Sequence, residues 1–164
     1  MKTAAMALCL AIVLSGCGSD KPGVPGDAQK LADTLSGDAK GAASDNPQCQ
    51  MFTTAEIGAL AGEPVKAGGN AGGGLGCQWL AADGEGSVMV TVAPADYHVE
   101  TSGAPGYRPL PDAGAKGFVA GEAGGWTAGA IAADKALVIS IDGSTATEAN
   151  TIALLKQVIT KVES

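Results

Sequence analysis

The clearest pattern along the chain is the alternation in SVMVTVA, residues 87–93. Val88, Val90 and Val92 fall on one side, and Met89, Thr91 and Ala93 on the other. A period of two marks a β-strand with one better-buried face. CQWLA (77–81) reads as a strand before it, with the turn signal Asp83-Gly84 between the two. Three more candidates come late: GFVA (117–120), GWTAGAI (125–131) and ALVISID (136–142). The turns that join them carry Gly124 and the pair Asp134-Lys135, which suits short hairpins. Pro64–Ala67 is a shorter strand candidate, followed by the glycine-rich GGNAGGGLG (68–76), which reads as a hairpin connection. That loop lacks the lysine and the strand-to-helix setting of a phosphate-binding loop.

Two segments carry helical signals instead. In FTTAEIGALAG, Thr53 and Glu56 have capping-box spacing, Ile57 and Leu60 share a face, and Gly62 can end the helix. Thr145 and Glu148 repeat that spacing. They predict a final amphipathic helix through Val162, with Ile152, Leu155, Ile159 and Val162 on its apolar face. Helix, strands, an irregular crossing (94–116), strands and helix together predict an α+β fold. The expectation is a single small antiparallel sheet with an N-terminal and a C-terminal helix packed on one face. The globular domain is expected over residues 49–164.

What precedes that domain bears on location. MKTAAMALCLAIVL has one charge, Lys2, and then an apolar run too short to span a bilayer as a helix. Such a start is a secretory signal. It ends in Leu14-Ser15-Gly16-Cys17, which resembles the lipobox of bacterial lipoproteins. The resemblance implies cleavage after Gly16, removing residues 1–16 with Cys9, and a diacylglyceryl group on the Cys17 thiol. The new amine is usually acylated as well, commonly with palmitate. Two or more chains anchor stably where one holds only marginally. Gly18 follows Cys17, so no aspartate signals inner-membrane retention; in a host with two membranes the outer one is expected. Residues 17–48 comprise the lipidated cysteine and a flexible tether, rich in Gly, Pro, Ser, Ala and Asp, with a root-mean-square reach of roughly 30 Å.

Cys49 and Cys77 are then the remaining thiols. In an exported protein an even pair is read as a disulfide. A metal site would need further ligands beside the one histidine, His98, and a redox pair normally shows C-x-x-C. The run CQMFTTAEIGALAGEPV, the glycine-rich loop and then CQW, all behind a lipobox, resemble small lipoproteins of the uncharacterised domain family numbered 3558. The matched positions are Cys49, Thr54, Glu56, Gly62, Cys77 and Trp79. The resemblance implies an exported, lipid-anchored, disulfide-bridged α+β domain and carries over no chemistry.

Charge and motif content narrow the function. Loss of residues 1–16 removes Lys2 and no acid, so the formal net charge goes from −7 to −8. That surface disfavours nucleic acid as a partner. The chain contains no G-x-S-x-G, H-E-x-x-H, G-x-x-x-x-G-K-[ST] or G-x-G-x-x-G. An enzyme is therefore not expected, and neither a metal nor a cofactor is implied. The irregular crossing gathers both tyrosines, the one histidine and the one arginine: Tyr97, His98, Tyr107 and Arg108. Aromatics and arginine are enriched among binding anchors, and loops on a scaffold often carry function. Trp79 and Trp126 lie within strand candidates and are expected in the core. The sequence thus predicts a membrane-anchored protein of the cell envelope that binds a protein or cell-wall partner without catalysis. The alternative is a small-molecule binder with a pocket near residues 94–116.

Overall fold

The structure, a computed structural model, describes residues 43–164. The signal segment, Cys17 and most of the tether lie outside the described residues. Helix α1 (Pro47–Gln50) is capped by Asn46, whose Oδ1 accepts from the Gln48 N–H at 2.8 Å. Asn46 is buried, and its Nδ2 donates to the Gly76 carbonyl at 2.8 Å. The packed unit therefore includes residues just ahead of Cys49. Helix α2 (Thr54–Ala61) opens with the expected capping box. The Thr53 N–H donates to Glu56 at 2.7 Å, the Glu56 N–H donates back to Thr53 Oγ1 at 3.2 Å, and Gly62 closes the helix at φ 80°.

Seven strands follow: β1 (Gly69–Ala71), β2 (Gly76–Leu80), β3 (Ser87–Pro94), β4 (Arg108–Pro109), β5 (Ala115–Glu122), β6 (Gly125–Ala132) and β7 (Lys135–Asp142). They form one antiparallel sheet in the order β1-β2-β3-β7-β6-β5-β4. The fold is α+β, as the order of elements predicted. Pro64–Ala67 is not a strand; only Val65 bridges to Ala81, and the glycine-rich run supplies β1 instead.

The alternation in β3 decides the faces. Val88 pairs with Ile141, Val90 with Ile139 and Val92 with Leu137, and the row continues into Trp126, Ala128 and Ala130 of β6. This face receives helix α3 (Glu148–Glu163), which lies across β5, β6 and β7 and touches α2. The alanines of β6 keep that surface low, so the helix backbone approaches closely.

Two details of α3 differ from expectation. The N-cap is Thr147, whose Oγ1 accepts from the Asn150 N–H at 3.1 Å, whereas Thr145 donates to Glu63 at 2.9 Å. The fully buried face is Thr151, Leu154, Leu155 and Val158, with Ile152, Ile159 and Val162 only partly packed at its flank. A wide apolar stripe permits either centre, and the position of the sheet chooses between them. The expected disulfide is present: Cys49 and Cys77 are joined, tying α1 to β2. No described helix is long and apolar enough to cross a membrane.

Candidate functional site

Strand β3 lies near the middle of the sheet and β4 at its far edge, so the chain between them must cross β7, β6 and β5. It does so on the face opposite the helices. The crossing starts with a tight helical turn at Ala95–Tyr97, where the His98 N–H donates to the Ala95 carbonyl at 3.1 Å. His98 is itself extended (φ −68°, ψ 124°), so from here neighbouring side chains point to opposite sides.

His98 points inward. Its ring meets Phe118 of β5 edge-on, with centroids 5.9 Å apart, and Tyr107 stacks on the same ring at 6.0 Å. Phe118 is buried, and Gly129 opposite it in β6 makes the room. A Cβ at Gly129 would stand 2.6 Å from Phe118 Cε1. Neither imidazole nitrogen of His98 finds a partner, nor does Thr101 Oγ1, although all three atoms are buried. The underside of the crossing is therefore seated by ring packing more than by hydrogen bonds. A main-chain bond from the Gly121 N–H to the Pro105 carbonyl, at 2.7 Å, fixes its far end.

Tyr97 and Val99 point the other way. They are 62% and 67% exposed, among the few large apolar side chains that face solvent, and the exposed acids Asp96 and Glu100 flank them. Arg108 does not join this group. Its guanidinium pairs with Glu148 at the start of α3, Nε donating to Oε1 at 2.6 Å, and so ties the edge strand to the helix. Of the four predicted residues, then, His98 and Tyr107 meet on Phe118, Tyr97 stands on the outer surface, and Arg108 serves a separate contact.

Three residues of this region escaped the sequence reading. Val99 could have been found from the alternation Tyr97-His98-Val99. Phe118 sits inside a strand and carries no distinguishing local signal. Trp126, expected in the core, is only partly buried; it packs against the core and also lines a cleft at one end of the sheet. Trp79 is 1% exposed, a core residue as expected.

At that same end, on the opposite face, polar residues form a row. Gln78 Nε2 donates to Ser87 Oγ at 3.3 Å, and Ser87 Oγ donates to Asp142 Oδ2 at 3.4 Å. Burial, and after it the neighbouring charge of Glu122, raises the Asp142 carboxyl above its ordinary range. Elsewhere, an open groove of about 750 Å³ runs along the outer side of α2, past Ala55, Gly58, Ala59 and Val65. Among the described residues, no group of three or more His, Cys, Asp or Glu side chains converges as a metal site.

The sequence profile of the family described as "Protein of unknown function (DUF3558)" matches residues 12–159, and the chain belongs to that family. No curated protein and no solved structure gives a significant match.

Proposed function

We propose that this member of the DUF3558 family is a non-catalytic lipoprotein of the cell envelope. In this reading acyl chains on Cys17 hold it to the membrane, and its disulfide-bridged domain engages a protein or cell-wall partner. The observation that carries the reading is the exposure of Tyr97 and Val99 on a segment whose inner residues are seated on Phe118. Fixing the segment before binding lowers the ordering cost at the interface. An aromatic and an aliphatic side chain flanked by acids suit a partner with an apolar patch rimmed by basic groups. The alternative, a small-molecule pocket near residues 94–116, has less support. A cavity of about 210 Å³ is lined by Arg108, Leu110 and Asp112, but Arg108 is engaged by Glu148, and Tyr97, His98 and Tyr107 do not line it.

Two experiments test the reading. Cys17→Ala is expected to move the protein from the membrane fraction to the soluble one; continued anchoring would overturn the lipid attachment. The double change Tyr97→Ser with Val99→Ser is expected to leave the thermal midpoint nearly unchanged, because both residues are exposed. It should nevertheless shift the detergent-solubilised protein to a smaller species on native gels. An unchanged size would contradict the partner surface.

A further inference from the structure

Beyond β4 the chain makes a tight turn and faces helix α3 across the cavity of about 210 Å³. Both walls are fixed by contacts within the domain. The Leu110 N–H donates to the Gly117 carbonyl at 2.7 Å, and the Ala113 N–H donates to the Leu110 carbonyl at 3.1 Å. Pro111 and Asp112 are thus the central pair of a turn, with proline at the position that favours it. Gly117 lets the turn sit close on β5, because an added Cβ would lie 2.5 Å from the Ala113 carbonyl. On the other wall, Glu148, Ile152 and Lys156 follow at four-residue spacing and so lie along one side of α3. The ion pair of Arg108 with Glu148 clamps the turn segment to the helix. Two opposite charges are left over. Lys156 and Asp112 both line the cavity, yet the ion pairs among the described residues are Arg108 with Glu148 and Lys161 with Glu56. Leu110 and Ile152 add apolar surface to the same lining.

We infer that this cavity binds a free α-amino acid with a short aliphatic side chain, as its zwitterion. Lys156 takes the carboxylate, Asp112 takes the ammonium, and Leu110 and Ile152 receive the side chain. A ligand with one charge would cover the other protein charge from water without compensating it, which costs affinity. A zwitterion answers both. Arg108 is already matched by Glu148 and serves as a wall. The volume falls below the range typical of drug-sized ligands, so the space selects a small molecule. Walls set before binding also lower the ordering cost. Tyr97 and Val99 do not line this cavity, so the inference goes beyond the partner surface and stands or falls separately from it.

Isothermal titration of the detergent-solubilised full chain tests the inference, with L-alanine and D-alanine as probes. Propionate, which lacks the ammonium, and ethylamine, which lacks the carboxylate, are the controls for charge, and tryptophan is the control for size. The expected result is saturable binding of at least one alanine enantiomer, about fivefold or more tighter than any control. Lys156→Met and Asp112→Asn should each weaken it about three- to fivefold, the scale of a partly exposed ion pair. Both side chains are exposed, so the thermal midpoints of these variants should stay close to that of the parent chain. Lys156→Arg should keep most of the binding, since it keeps the charge. Propionate, ethylamine or tryptophan binding as tightly as alanine would overturn the inference. So would an unaltered titration in either charge-removing variant, or no saturable heat up to about 100 mM, where even millimolar affinities saturate.

Discussion

At the tip of the β6–β7 hairpin, Ala133 and Asp134 both hold positive φ, at 46° and 55°. Two such residues in succession are the mark of a type I′ turn, which prefers asparagine and glycine because other side chains crowd the backbone there. Ala133→Asn is therefore expected to raise stability by about 0.5–1 kcal/mol, read from denaturant midpoints at an unchanged slope. Asp142 makes a second case. Its folded carboxyl is raised, so ionisation works against the fold. The cost is absent where the group is protonated in both states, below the ordinary aspartate range, and grows as pH rises through the folded value. Asp142→Asn should raise the thermal midpoint at pH 7, by less than about 1 kcal/mol after solvent screening, and the gain should fade on acidification. Glu56 has the opposite sign. The Thr53 N–H holds its carboxyl below the usual range, so its contribution is present at neutral pH and lost as pH falls through the folded value. Residue-level features of this kind were legible where they depend on near neighbours. Thr53 and Glu56 interact only three positions apart. The second cap was misplaced because Thr145 has the capping-box glutamate three positions on, whereas Thr147 has Asn150 there, and the contact that takes Thr145 away, with Glu63, is far off in sequence.

Among the elements, the long strands were readable because Val88, Val90 and Val92, and later the ALVISID run, carry their own period. The edge strands were not. β1 and β4 contain three and two residues, and they exist only because a neighbour offers free main-chain groups. Their brevity has a use. The outer side of β2 is continued by the Lys66 N–H donating to the Leu80 carbonyl at 2.8 Å, and that of β5 by the Leu110 N–H donating to Gly117 at 2.7 Å. The strands left at the two edges of the sheet, β1 and β4, are thus short, which limits pairing with another chain. The crossing segment was located correctly as an irregular stretch rich in aromatics. What it rests on was not visible, because the pairing that sets Phe118 opposite Gly129 is a property of the assembled sheet. Gly129→Ala is the direct test of that seating. The new methyl would collide with the Phe118 ring and lie 3.1 Å from the Leu137 carbonyl. The expected outcome is a loss of about 1–3 kcal/mol, the usual scale for overpacking, together with faster proteolysis within residues 95–107. An unchanged cleavage rate would separate the segment from Phe118.

At the largest scale, residues 43–164 form a sheet with a different task on each face. Helices α2 and α3 bury one face to make the core, and the crossing segment occupies part of the other and carries the proposed contact residues outward. The disulfide joins the start of the packed unit to β2 over a sequence separation of 28. Replacing Cys49 and Cys77 by alanine is expected to cost about 3–4 kcal/mol on the chain-entropy model, a large share of a small domain's stability. The central claim is that Tyr97 and Val99 meet a partner in the envelope. It is tested most directly by placing a photo-crosslinking residue at position 99 in cells, with position 153 on the exposed side of α3 as the control. The expected result is one reproducible adduct from position 99, absent from position 153 and lost when Tyr97 is also changed to Ser. No adduct, or the same adducts from both positions, would contradict the assignment of the crossing segment as the contact surface.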